Sequence, residues 1–372
     1  MWQIAYPRQI GTHEHMVGPK RFIESMTDYA RAQGDLVAHF PWVQVPDSQQ
    51  AITLNFHTYG YGPLAFHYKE TYLENWLQID TLGYSGWHSS NFFPDARSRA
   101  LMPFLPERRA RIPDKIAAYA ASKKSKYVQS DTVAEIDGDY LFYPLQRPQD
   151  ETTLFARFTP QQIVEAVLPW CRENNHKLVI KRHPYCNSHV IPGWVETLSA
   201  HPEIVMTTGD VVKILGNAKA LLTVSSSVGF EALMRDVPVF CFGASEYGTL
   251  THEVFSLDQL PAQLSSVLQK GEGSSTLPRV HDFAAAHLYD TEDPQDIADL
   301  YHALKGYALA TSSRPGWLPG LLPDIVEFRE WGNSTDYILH GFSYSDAAGT
   351  WTNQMRASLA FQHEGEATLK SM

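Results

Sequence analysis

Two α/β domains facing each other across a cleft are the fold this sequence predicts. Three observations carry it. Apolar strand-like stretches alternate with helix-period stretches between residues 139 and 242. Polar motifs rich in Ser, Lys and His follow directly on those strands. A chain of 372 residues is long enough for two cores.

In chain order, Phe22 to Gln33 reads as a helix, and Ala51 to Phe56 and Leu64 to Tyr68 as strands. They suggest an α/β domain over residues 1–130, joined to the next through the hydrophilic stretch Ser122 to Asp137. A second α/β domain is expected over residues 131–315. Its first strand is Asp139 to Gln146. Thr159-Pro160 then opens a helix: Thr caps, Pro fits the first turn, and Gln162 stands where a capping-box partner would. Ile163, Val164, Val167 and Leu168 repeat at helical spacing. Strands follow at Lys177 to Lys181, Glu203 to Thr207, Ala220 to Ser225 and Val237 to Phe242, with Asp210 a cap between the second and third of these. Strands separated by helices imply a parallel sheet covered on both faces, whose ligands bind beyond the carboxyl ends of its strands. The segment 316–372 is rich in Trp, Gly and Pro. It is expected either to return to the first domain or to begin an accessory β module.

Apolar residues make up 44% and charged residues 19%, the profile of a globular chain rather than a disordered one. No apolar run approaches the roughly 20 residues of a membrane span. The start, MWQIAYPRQIGTHEH, lacks the basic and apolar regions of a secretory signal, so a cytoplasmic location is expected. The three cysteines, Cys171, Cys186 and Cys241, have neither zinc-site nor disulfide spacing. A net charge of −11 argues against nucleic acid as a partner. Against that charge stands a basic run, Arg108, Arg109, Arg111, Lys115, Lys123, Lys124 and Lys126. It reads as a solvated helix face or as a surface for an anionic acceptor or a membrane.

Four constellations can carry chemistry. Ser225-Ser226-Ser227-Val228-Gly229-Phe230-Glu231 runs from a strand end into a helix. Free N–H groups, hydroxyls and Gly229 suit an anion there, and Glu231 suits a ribose; an ordinary serine cap is the alternative. Lys181-Arg182-His183-Pro184 places cationic groups where a phosphate leaving group needs neutralising, or is a basic loop. Pro144 to Asp150 contains Gln146 and ends in Asp150, either a nucleophile for an anomeric carbon or a turn-capping aspartate. In the first domain, Glu70 follows a strand and is either a base for an acceptor hydroxyl or a surface glutamate. No Asp-x-Asp pair sits at a strand end to hold a metal.

The ordered set Glu70 to Leu73, Pro144 to Asp150, Lys181 to Pro184, Ser225 to Leu233 and Pro238 to Gly243 resembles the capsule polysaccharide biosynthesis family, which includes β-Kdo transferases. The resemblance implies a GT-B fold of two Rossmann-like domains. It also implies a CMP-Kdo donor without metal or other cofactor, a glycan or glycolipid acceptor, and transfer with retention through a glycosyl-enzyme. Carried over, Asp150 is similar to the nucleophile and Glu70 to the acid/base. His183 and Lys181, with Arg182 beside them, resemble the phosphate-holding group. Gln146, Ser225, Ser226, Ser227, Gly229 and Glu231 fall in the donor-binding motifs. Such an enzyme would work at the inner membrane or beside polysaccharide-assembly partners. Thr71-Tyr72 stands where one branch of the family usually has an acidic-glycine pair. Transfer of a sialic acid or hexose, hydrolysis, and a non-catalytic assembly role are the competing expectations.

Overall fold

The structure, a computed structural model, describes residues 1–7, 10, 16–41, 50–59, 64–92, 105–122, 125, 136–147, 150–184, 186, 190–269, 275–312, 326–327 and 370–371. They form two compact units. One holds the chain up to Tyr119 and again from Arg279; the other is Ala120–Pro278. Almost all of 316–372, most of the Ser122 to Asp137 connector, and Lys123, Lys124 and Lys126 lie outside the described residues.

The first unit starts with β1 (Trp2–Ala5), α1 (Val17–Ala32), β2 (Val37–Phe40), β3 (Ile52–Phe56), β4 (Ala65–Glu70) and β5 (Trp76–Asp80). The short α2 (Ser89–Phe92) and the long α3 (Pro106–Ala121) follow. Helix α1 buries Phe22, Ile23, Met26 and Ala30, a single stripe at helical spacing, against the sheet's core.

The second unit contains β6 (Tyr140–Pro144), α4 (Pro160–Glu173), β7 (Lys177–Lys181), α5 (Val190–Leu198), β8 (Ile204–Thr207) and α6 (Val211–Leu215). It continues through β9 (Ala220–Thr223), α7 (Ser227–Leu233), β10 (Val239–Cys241), β11 (His252–Glu253) and α8 (Leu260–Gln269). The cap at Thr159 forms as its sequence requires: Gln162 N donates to Thr159 Oγ1 at 3.2 Å, and Thr159 N donates to Gln162 Oε1 at 2.9 Å. Asp210 caps α6 through Val212 N at 2.7 Å and Lys213 N at 3.1 Å.

All six strands of this unit are parallel, in the order β11-β10-β9-β6-β7-β8. The first strand, β6, therefore lies at the centre, and the chain winds outward to one side and then to the other. This doubly wound order leaves a crevice beyond the carboxyl ends of β6 and β9, where the winding reverses. Both faces are covered, so the middles of the central strands are apolar: Leu141, Phe142, Leu178, Val179, Ile180, Leu221 and Leu222 are buried.

The chain then returns to the first unit as α9 (Leu277–His287), β12 (Leu288–Asp290) and α10 (Pro294–Ser312). β12 completes a six-stranded sheet in the order β12-β5-β4-β3-β1-β2. Its three pairs from β2 to β4 are parallel, and β5 runs antiparallel to both β4 and β12. The molecule is thus α/β with two Rossmann-like units. No helix among the described residues is long and apolar enough to cross a membrane.

The basic run resolves into internal ion pairs. Arg108 is buried against Asp296, Arg109 pairs with Asp282, Arg111 with Asp299, and Lys115 with Asp293. These four cations of α3 bind the returning segment α9–β12–α10, so they form neither a freely solvated face nor an unpaired patch.

Candidate functional site

The carboxyl ends of three neighbouring strands, β9, β6 and β7, bring most of the sequence-derived candidates together. Gln146, just past β6, reaches across to the end of β9. Its Oε1 accepts from Ser225 N at 2.8 Å, and its Nε2 donates to Ser225 Oγ at 3.2 Å. Ser225 Oγ donates in turn to the Thr152 carbonyl at 3.1 Å. The reversal point of the sheet is therefore tied shut by one glutamine, and Ser225 is spent on that tie.

Asp150 caps a short 3-10 turn, Glu151–Phe155. Its Oδ1 accepts from Thr152 N at 2.9 Å and from Thr152 Oγ1 at 2.8 Å. The capping aspartate that the sequence allowed is thus real, but it occupies one oxygen only. Oδ2 makes no hydrogen bond among the described residues, and the side chain is exposed. Thr152, which sequence reasoning did not single out, aims this carboxylate.

After β7, Lys181 is buried and donates from Nζ to the Gly209 carbonyl at 2.5 Å. Burial pushes its pKa down, against the opposing charges of Asp210 and Glu231. Arg182 donates to the Cys186 carbonyl at 2.9 Å, tying its own loop. His183 is half-buried. Burial holds its pKa below the ordinary value, the charges of Arg147 and Lys181 push the same way, and Asp150 opposes them. The imidazole thus senses the end of β6 and the end of β7 together. It is neutral at pH 7 until an anion approaches.

The serine motif is arranged differently from a bare anion loop. Ser226 caps α7 through Val228 N at 3.3 Å, and its carbonyl accepts from Tyr247 Oη. Ser227 is half-buried and begins α7. Gly229 is needed for a packing reason. A Cβ there would lie 2.3 Å from Tyr247 Oη, so the space beside Gly229 belongs to the tyrosine and not to a ligand. Gly229→Ala should therefore destabilise the chain by about 1–3 kcal/mol through overpacking, read as a lower denaturant midpoint. Glu231 stands at the fifth position of α7 rather than in its first turn. It is 0% exposed, with Oε1 accepting from Ser125 Oγ at 3.0 Å. Its carboxylate is turned into the fold in this arrangement, not toward a ribose.

Glu70 is the last residue of β4 in the first unit, half-exposed, and registered opposite Leu77. Beside it, Lys69 lies over the Tyr84 ring at 4.6 Å.

Among the described residues, one group has metal-ligating side chains in reach of each other. Asp80, His88 and His287 place their donor atoms within 4.8 Å, all buried. Asp80 is held by four hydrogen bonds from the loop that follows it. Asp80 Oδ2 accepts from Leu82 N, Gly83 N and Ser89 N, and Oδ1 accepts from Ser89 Oγ at 2.5 Å. Ser90 N donates to His88 Nδ1 at 3.1 Å, which leaves the proton on Nε2, the nitrogen 3.4 Å from Asp80. Burial opposes ionisation of Asp80, but His88, His287 and the bonds from Ser89 and Leu82 outweigh it and hold the carboxyl below its ordinary range. The arrangement anchors the loop after β5 and ties it to the end of α9.

Residues 103–251 match the family model described as capsule polysaccharide biosynthesis protein. A curated relative, Protein FixF of Sinorhizobium fredii (strain NBRC 101917 / NGR234), is 28% identical over 131 residues. That stretch is 34% of this chain and 31% of the relative, so the chain spans about a third of its length. Two solved structures from Thermosulfurimonas dismutans KpsC are also similar. The β-Kdo 2,4 transferase shows 16% identity and TM-score 0.46, covering 82% of this chain and 98% of that one. The β-Kdo 2,7 transferase shows 15% identity and TM-score 0.42, covering 81% and 98%. The family match encloses Gln146, Asp150, Lys181, His183 and the serine motif, so the strand-end site lies wholly within the matched segment.

Proposed function

We propose that this chain is a glycosyltransferase of bacterial surface polysaccharide synthesis, transferring Kdo from CMP-Kdo to a saccharide acceptor with retention. The observation that supports it best is the strand-end cluster at the reversal of the second sheet. There an exposed carboxylate with one uncommitted oxygen faces a half-buried histidine and cationic side chains.

In the first step, Asp150 Oδ2 attacks the anomeric carbon. The carbon–oxygen bond to phosphate breaks, and CMP leaves with the electron pair, giving a sugar ester on Asp150. His183 and Lys181 receive the departing phosphate. In the second step, Glu70 takes the proton of the acceptor hydroxyl, whose oxygen attacks the same carbon as the Asp150 carboxylate departs. Two inversions give net retention. The leaving group is a phosphate monoester that cations can neutralise, so the scheme needs no metal. The enzyme would act in the cytoplasm, at the inner-membrane face where lipid-linked acceptors are made.

The test is intact-protein mass spectrometry on Glu70→Gln, in which the second step is slowed, after mixing with fresh CMP-Kdo. A gain of one Kdo residue is expected, together with selective thermal stabilisation of wild type by CMP over UDP. Neither adduct nor CMP-selective binding would remove Kdo and turn attention to other nucleotide sugars.

A second expectation follows from His183. Burial and the neighbouring cations depress its pKa in the free protein, and a bound phosphate raises it again. Binding then takes up a proton, so CMP affinity should rise as pH falls from above the ordinary value of 6.5 toward the depressed one. Titration calorimetry in buffers of different ionisation heat would show this uptake in wild type and its loss in His183→Gln.

A further inference from the structure

Arg147 stands apart from the other arginines. Buried or half-buried arginines elsewhere among the described residues are committed. Arg108 holds Asp296, Arg111 holds Asp299, Arg157 holds Glu253, and Arg182 and Arg235 hold carbonyls. Arg147 is half-buried, its Nε lies out of solvent, and its side chain makes no hydrogen bond or ion pair among the described residues. A guanidinium cannot shed its charge, so leaving one half-buried and unpaired costs free energy that an incoming anion recovers.

Its position says which anion. Arg147 lies three residues past the end of β6, at the reversal point of the sheet, and its charge acts on His183. Asp150, whose free oxygen is the proposed nucleophile, is on the same turn: Asp150 N donates to the Arg147 carbonyl at 3.1 Å. A group held by Arg147 is therefore close to the anomeric carbon that Asp150 attacks. Phosphate already has Lys181 and His183. An anionic substituent on the sugar itself has no other cation assigned to it.

Building on the reading above, we propose that Arg147 is a donor-specificity residue that binds the carboxylate carried next to the anomeric carbon of an ulosonic acid sugar. A planar fork of N–H groups matches a carboxylate bidentately, a geometry that lysine cannot copy. Pairing the guanidinium with this carboxylate anchors the ring and turns its anomeric carbon toward Asp150. Neutral hexose donors leave the charge unpaired and are rejected.

The test compares wild type, Arg147→Lys and Arg147→Gln for binding of CMP, CMP-Kdo, UDP-glucose, N-acetylneuraminate and the carboxamide of N-acetylneuraminate, with each variant's melting curve as a folding control. Arg147→Gln should bind CMP as wild type does but lose about 10- to 100-fold in affinity for CMP-Kdo, with Arg147→Lys in between. An equal loss for CMP and CMP-Kdo would make Arg147 a phosphate ligand and overturn the proposal. Unchanged CMP-Kdo binding would overturn it as well. If wild type ignores both CMP ligands, the Kdo reading falls while this proposal is still judged. Preference for N-acetylneuraminate over its carboxamide that disappears in Arg147→Gln upholds carboxylate recognition, and no such preference ends it.

Discussion

Asp150→Asn should abolish sugar transfer, by at least about 10⁴-fold, while the protein melts as wild type does. The contrast rests on the two oxygens of one carboxylate. Oδ1 accepts from Thr152 N at 2.9 Å and from Thr152 Oγ1 at 2.8 Å, and an asparagine carbonyl can do the same. Oδ2 is the atom with an uncommitted lone pair, and in asparagine it becomes an amide nitrogen with no nucleophilic pair. Asp150→Ala loses the cap as well, worth about 1 kcal/mol at an exposed turn. Capping alone would make asparagine active and alanine mildly impaired. Nucleophilic catalysis makes both inactive, with only alanine destabilised. Transfer rates and melting temperatures of the two variants, taken together, decide between these roles. An active Asp150→Asn would end the double-displacement mechanism, whatever its stability.

What the sequence allowed to be read, and what it hid, follows from the range of the interactions involved. Elements determined locally were legible. The capping box at Thr159 and Gln162 spans four residues, and its two hydrogen bonds form as the residue types require. Strand β7 is centred on the apolar run Leu178 to Ile180 because the middle of a parallel strand buried on both faces must be apolar. The motifs at strand ends were legible for the same reason: a polar cluster after an apolar strand marks a carboxyl edge. Long-range partners were not. Strand β12 is three residues long and exists because β5, about two hundred residues earlier, needs a neighbour. Gly229 looked like room for an anion because nothing near it in sequence announces Tyr247, eighteen positions on. Glu231 looked available to a ribose because its burial against Ser125 depends on chain over a hundred residues away. Arg147 lay inside a motif already noticed, but whether its side chain finds a partner among the described residues depends on groups far from it in sequence and cannot be read from a heptapeptide.

Arg108→Met should destabilise the first unit by about 3–5 kcal/mol, the largest stability effect expected here. Arg108 is buried. From α3 it donates to the Ala284 carbonyl at 3.0 Å, the Ala285 carbonyl at 2.5 Å and the Leu288 carbonyl, and to Asp296 Oδ2 at 3.0 Å. Its guanidinium also lies 4.2 Å from the centre of the Tyr289 ring. One side chain thus satisfies carbonyls at the end of α9, fastens β12 and neutralises a buried carboxylate of α10. Methionine fills much of the volume but leaves those carbonyls without donors and Asp296 short of its nearest cation; Arg111 and Lys115 stand farther off, at 3.6 Å and 3.5 Å. Urea unfolding should show the lower midpoint. Hydrogen exchange should quicken first at Leu288 to Asp290, where β12 pairs with β5. Adding Asp296→Leu should return part of the loss, since much of the damage is an orphaned charge rather than a missing attraction. If Arg108 instead served a partner surface, Arg108→Met would leave the midpoint unchanged. Its sequence neighbours already point the other way, because Arg109, Arg111 and Lys115 each hold a carboxylate of the same returning segment. The four cations of that charge run on α3 are the clasp that closes the first unit on the chain's return.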